Sequence, residues 1–146
     1  MIEITTIGFA GKSAEQFFNL LKTSKVRVIT DTRLSNNNQL AGYSKGSDLA
    51  FFAKAIGGIG YEHRLDLAPN KEILAAYRDG KMSWAEYETE YLNLLDLRKT
   101  AQKVDIEALH GHCLLCSEHS PEHCHRRLLA EFFQHRRNDV AVRHLF

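Results

Sequence analysis

Along the chain, short β-branched or apolar runs alternate with stretches whose apolar residues recur every three or four positions. Residues 2–7 read as a strand closed by Gly8. Ser13-Ala14-Glu15-Gln16 is a capping box, and Phe17, Phe18 and Leu21 after it give one apolar helix face. Residues 26–29 are a second strand ending at Thr30-Asp31, and residues 36–46 read as loop. Ser47 is placed to cap a helix that runs to Ile56 and stops at Gly57-Gly58. A third strand follows at residues 59–61, then a helix over 71–79 with Gly80 as its stop. Ser83 to Glu86 forms a second capping box before Trp84, Tyr87, Tyr91, Leu94 and Leu95 at helical spacing. Residues 100–109 are expected to be helical as well.

In the last third, residues 112–116 form an apolar strand. Ser120-Pro121 reads as a cap with proline at the first helical position, and apolar periodicity runs on to Phe133. Residues 140–142 make a closing strand. Strands alternating with helices predict one α/β domain over residues 1–146, a mainly parallel sheet of about five short strands with helices on both faces. Ligands of such sheets sit beyond the carboxyl ends of the strands.

Composition narrows the function classes. The 146 residues are 44% hydrophobic and 25% charged, enough apolar material for a real core. With 19 basic against 18 acidic side chains the formal charge is +1, which gives no general drive toward nucleic acid or membrane. No apolar run approaches the ~20 residues that span a bilayer. Met1-Ile2-Glu3-Ile4 lacks the layout of a secretory signal. The three cysteines all fall between Cys113 and Cys124, an odd count that points to a reducing cytoplasm.

The densest chemistry runs from Cys116 through Glu118, His119, Glu122, His123, Cys124 and His125 to Arg126 and Arg127. At ~100° per residue, Leu128, Leu129, Phe132 and Phe133 set the buried helix face, and His125 falls near its middle. Cys124 and Arg126 fall on its flanks, and Arg127 points to solvent. His125 is therefore aimed inward, toward the strand exit at Cys116. A cysteine beside such a helix start should have a lowered thiol pKa. Cys113 reads as a small buried hydrophobe, and His119 and His123 as ordinary loop and first-turn residues.

Zinc is the alternative, since Cys113-Leu114-Leu115-Cys116 matches C-x-x-C and Cys124-His125 could add ligands. Residues three apart in a strand face opposite ways, however, so a zinc site would have to use Cys116, Cys124, His125 and a nearby histidine. Gly8 to Ser13 ends in the G-K-S of a phosphate loop, but Thr6 stands where its first glycine belongs. Gly8 and Lys12 are instead read as holding a single phosphate or carboxylate. Asp31 and Arg33 share a face, either as a local ion pair or as a cleft wall, and Tyr61 and His63 do likewise after the third strand.

Thr6-Ile7-Gly8, Asp31-Thr32-Arg33-Leu34-Ser35, Gly58-Ile59-Gly60-Tyr61-Glu62-His63 and the C-x-E-x-x-P-x-x-C-H-R run from Cys116 to Arg126 together carry a resemblance. The sequence resembles the domain of unknown function 488 family along nearly its whole length. The resemblance implies a compact α/β domain with motif positions Gly8, Asp31, Arg33, His63, Cys116, Glu118, Cys124, His125 and Arg126. It implies no particular activity. Many members look like G-H-S after the first strand, where this chain has Gly8-Phe9-Ala10, and Gln39-Leu40-Ala41-Gly42-Tyr43 fits one branch of the family.

These residues point to an enzyme-like domain with an anion-binding cleft. Cys116 or Cys124 is the expected reactive thiol, and His125 its base or orienting partner. Arg33 and Arg126, with Gly8 and Lys12, are the expected binders of a small anionic ligand. Asp31, Glu118 or His63 would handle protons. The spacing is not that of a C-x5-R phosphatase loop, because Glu122 stands at the arginine position. The alternatives are a non-catalytic metal- or nucleic-acid-binding module, or a scaffold that presents a metabolite to a partner. Residues 119–146 carry five arginines against three acids, only a slight basic excess.

Overall fold

The computed structural model describes residues 1–37 and 42–146. The expected loop at 36–46 and the branch-specific segment therefore fall partly outside the described residues, at positions 38–41. Five strands, β1 (Ile2–Gly8), β2 (Val28–Asp31), β3 (Gly60–His63), β4 (His112–Cys116) and β5 (Val140–Leu145), form one sheet of order β3-β2-β4-β1-β5. Every neighbouring pair is parallel. The helices are α1 (Ala14–Thr23), α2 (Gly46–Gly57), α3 (Lys71–Arg78), α4 (Trp84–Leu97), α5 (Thr100–Lys103) and α6 (His125–Arg136).

Period-two alternation sorts the strand residues between two cores. Ile7, Ile29, Cys113 and Leu115 pack with Phe17, Phe18 and Leu21 of α1 and Leu49 and Ala53 of α2. Ile2, Ile4 and Leu114 pack on the opposite face with Tyr87, Tyr91 and Leu95 of α4 and Leu128, Leu129 and Phe133 of α6. Helices thus cover both faces, as parallel sheets require.

Two features of the topology place the site. The register pairs Gly8 with Cys116 and Asp31 with both Leu115 and His63, so four strands end at nearly one level. From β2 the chain moves outward to β3, whereas from β4 it moves the other way to β5. The gap between β2 and β4 is therefore a switch point, the place where open α/β sheets leave a crevice.

Both capping boxes form as expected. The Ser13 hydroxyl accepts from the Gln16 amide, and the Ser83 hydroxyl from the Glu86 amide. Strand limits move by up to three residues from the sequence reading: β2 lies at 28–31 instead of 26–29, β3 at 60–63 instead of 59–61, and β5 runs on to Leu145. Three helical boundaries differ as well. α2 starts at Gly46 behind Lys45, which makes no side-chain cap, so Ser47 lies inside the helix. The 100–109 stretch breaks at Val104, in extended backbone, and resumes as a short 3₁₀ turn at Glu107–Leu109. α6 begins at His125 with Cys124 at the N-cap, not at Ser120-Pro121. The reason is a competing set of bonds. The Ser120 hydroxyl accepts from the Glu122 amide, and the Glu118 and His119 carbonyls are held by Arg126, which keeps 117–124 a loop.

Candidate functional site

At the switch point, strand parity points Cys116 of β4 and Thr32, just past β2, to the face that α6 covers. Thr32 is fixed from β4: its amide and its hydroxyl both donate to the Leu115 carbonyl, at 3.1 and 2.8 Å. His125, the first residue of α6, reaches down between Cys116 and Thr32. Its Nδ1 lies 3.6 Å from the Cys116 Sγ, and its Nε2 lies 2.8 Å from the Thr32 carbonyl oxygen and 3.0 Å from the Thr32 hydroxyl.

This geometry decides the tautomer. A carbonyl oxygen only accepts, and the Thr32 hydroxyl has already given its proton to Leu115, so the proton on Nε2 is fixed. Nδ1 is left facing Cys116, where it accepts the thiol proton or, once charged, donates back to the thiolate. Tyr91 packs edge-on against the imidazole at 5.5 Å, its own hydroxyl donating to the Leu67 carbonyl.

Cys124 completes the group. The Sγ atoms of Cys116 and Cys124 and a ring nitrogen of His125 all lie within 4.8 Å of one another, and all three residues are buried. The Cys124 S–H donates to Cys116, and with the His125 charge and the nearby Arg126 this holds the Cys116 thiol well below its usual range despite burial. Burial, and the negative charge on Cys116, push the Cys124 thiol well up. Burial alone would lower His125, but Cys116 outweighs it and raises the imidazole. The three directions are mutually consistent: each favours negative charge on Cys116, positive charge on His125 and a proton kept on Cys124. Cys113 lies on the other face, where burial outweighs the Thr5 hydroxyl and the more distant Arg126 and pushes it up to about 12.

The trio forms part of the wall of a cleft of about 780 Å³. Tyr77, Trp84 and Tyr87 line one side, with Trp84 stacked on Tyr87 and on His123. Phe9 and Arg33 line another part, and exposed Glu118 belongs to the same lining. Burial and the two thiols raise the Tyr87 hydroxyl, which stays protonated.

Other sequence candidates lie close by in different roles. Asp31 points to the α1–α2 side of the sheet, outside the cleft lining, and takes Arg33 in a two-pronged buried ion pair: Nε to Oδ1 at 2.9 Å and Nη2 to Oδ2 at 2.7 Å. Tyr61 also donates to Asp31, and Arg33 Nη2 donates to the Ser44 carbonyl. What remains is Arg33 Nη1, the one buried side-chain nitrogen or oxygen without a hydrogen-bond partner among the described residues. His63 Nε2 donates to the Arg33 carbonyl at 2.7 Å, so His63 supports this arm instead of facing the cleft.

Arg126, an expected anion binder, is 0% exposed, and each of its three guanidinium nitrogens already donates within the protein. Nε donates to the Thr6 hydroxyl, Nη1 to the Glu118 carbonyl at 2.6 Å and Nη2 to the His119 carbonyl. It clamps the loop between β4 and α6. Gly8 lies against that loop, and a Cβ there would stand 1.5 Å from the Glu118 oxygen. Lys12 folds back to donate to the Gly8 carbonyl at 2.7 Å and lies 3.2 Å from His119 Nδ1. Gly8, Lys12 and Arg126 therefore build the scaffold, and none of the three lines the cleft.

The sequence reading missed Thr32, Tyr77, Trp84, Tyr87 and Tyr91 as site residues. Parity could have found Thr32, since it faces opposite to Asp31 and Arg33, but the α4 aromatics carried only a helical-core signal. The arginines considered for nucleic acid are largely paired: Arg127 with Glu131, Arg136 with Asp96, and Arg137 with Asp139 and Glu107. Among the described residues, no helix is long and apolar enough to cross a membrane.

Comparison with curated proteins and with solved structures returned no match. A family model matches residues 13–133, a span that holds Cys116, Cys124, His125, Arg126, Asp31, Arg33 and His63. On that match, over most of its length, the chain belongs to the family described as "Domain of unknown function DUF488".

Proposed function

We propose that this protein is a thiol-dependent enzyme in which Cys116 is the nucleophile and His125 its charged partner and proton carrier. The observation that carries the reading is the Cys116 Sγ–His125 Nδ1 contact at 3.6 Å, with the far ring nitrogen pinned by Thr32, at the wall of a cleft. A nucleophile, a base beside it and a third group orienting the base is the arrangement that activates thiols. Burial strengthens the pair, because charges attract more in a medium of low effective dielectric than in water.

The substrate is a small molecule with an electrophilic centre and an anionic group, a phosphate or a carboxylate. Arg33 Nη1 supplies the anion contact. A buried guanidinium nitrogen left unpaired is costly, and a ligand oxygen arriving from the cleft would satisfy it. Asp31 and His63 act as positioning residues for that arm, and Glu118 in the cleft lining meets the leaving group. A reducing compartment such as the cytoplasm keeps the two site thiols free.

A second reading has one observation in its favour. The three donor atoms of Cys116, Cys124 and His125 lie close enough to hold a metal ion, and the Nε2–Thr32 bond is the kind that orients a metal-bound histidine. Zinc is the candidate for such a donor set.

Alkylation of the purified protein by iodoacetamide across pH, followed by peptide mass spectrometry, tests the proposal. Cys116 should react first, with a midpoint well below the ordinary ~8.5, and His125→Gln should move that midpoint back up. A midpoint at or above ~8.5 would overturn the reading. So would one zinc per chain in elemental analysis, which would assign the trio to the metal instead.

A further inference from the structure

A thiolate needs hydrogen-bond donors, and a serine could supply one as well as a cysteine. The chain places a second cysteine there instead, and buries it to 3% exposure with its sulfur beside the first. We infer that Cys116 and Cys124 form a redox couple that delivers two electrons to a hydroperoxide, with Cys124 as the resolving thiol. The inference rests on the thiolate reading of Cys116 and extends it to a substrate class.

Three features support it. Both cysteines belong to the lining of the same cleft, so one small oxidant in it would meet the pair. The sulfurs lie within 4.8 Å, and side-chain movement has to close that gap to the ~2.05 Å of a disulfide. The chain between them, residues 117–123, is already folded back on itself by the Arg126 clamp and by the Cys124 amide bond to the Pro121 carbonyl. Little further chain ordering is then required to close the ring. Cys113 cannot substitute, since it sits in the core on the opposite side of the sheet.

The chemistry balances with the groups present. The Cys116 thiolate attacks the outer peroxide oxygen and the O–O bond breaks. The departing alkoxide takes the Nδ1 proton of His125 and leaves as an alcohol, and Cys116 becomes a sulfenic acid. Cys124 then gives its proton to His125 and attacks the Cys116 sulfur. The S–O bond breaks, hydroxide recovers that proton and leaves as water, and a Cys116–Cys124 disulfide remains. Two cysteines are oxidised, one peroxide is reduced, and two equivalents of an external thiol restore the couple and leave as their own disulfide.

The test adds one equivalent of hydrogen peroxide to the reduced, full-length protein. Free thiols are then counted after denaturation, and peptides are mapped without reductant. Thiols should fall from three to one, with a cross-linked Cys116–Cys124 peptide and Cys113 untouched. In Cys124→Ser the reaction should stop at a Cys116 sulfenic acid that dimedone traps. Retention of all three thiols overturns the inference, as does a Cys116 sulfinic acid with no cross-link, or a cross-link through Cys113. The parent reading fails separately: if iodoacetamide still finds Cys116 reactive at low pH while peroxide yields no disulfide, only the redox couple falls.

Discussion

Gly8 lacks a side chain because none would fit. Its φ lies outside the left-handed region, so the constraint is space and not backbone freedom. A methyl group would stand 1.5 Å from the Glu118 carbonyl oxygen and 2.9 Å from Arg126 Nη1. The loop would have to move, and with it the bond from the Ala10 amide to the Ser117 carbonyl and the Arg126 clamp. Gly8→Ala should therefore lower stability in urea by about 1–3 kcal/mol or more, in line with overpacking of a tight site. Unchanged stability would show that the loop gives way freely. Arg126 teaches the same lesson from the other side. Its place on the helix flank could be read from a 100° repeat, but its partners could not. Two of the three are backbone carbonyls, which every residue carries and which leave no mark in a sequence.

Helix starts show where local signals suffice and where they fail. Ser13 and Ser83 cap α1 and α4 because each has its Gln or Glu three residues on and nothing nearby competes. Ser120-Pro121 carries an equally plausible local signal, yet α6 waits until His125, since Arg126 holds the Glu118 and His119 carbonyls and the distant Ala10 amide holds the Ser117 carbonyl. Substitution should expose the difference. Ser83→Ala should cost about 1 kcal/mol of stability, the usual loss for a cap, whereas Ser120→Ala should change stability by no more than about 0.5 kcal/mol. Equal losses in thermal or urea unfolding would mean that Ser120 has a capping role after all. The late start matters for the site: it puts Cys124 at the N-cap and His125 at the first turn, where the helix dipole favours an anion such as the Cys116 thiolate.

At the scale of the molecule, the site follows from strand order. Alternating strands and helices were enough to expect a parallel sheet and a cleft at the strand ends, and the short strands and their ends could be read within a few residues. The order β3-β2-β4-β1-β5 could not, because each strand's neighbours lie far away in sequence. That order, by seating β2 beside β4, brings Thr32 against the local Cys116–His125 pair, while strand parity turns Asp31 away from it. The sign of the resulting pH effect can be worked out. Cys116 is held below its usual value, so its thiolate persists as pH falls through ~8.5, and His125 is raised, so its charge persists as pH climbs through ~6.5. Between those values the folded site keeps more of the thiolate–imidazolium pair than an unfolded chain does. The most direct test is a pH titration of thiolate ultraviolet absorbance, taken as the difference between the wild-type protein and Cys116→Ser. One thiolate per chain should remain at neutral pH and disappear only in the acid range. Absorbance that appears only as pH rises past ~8.5 would contradict the account.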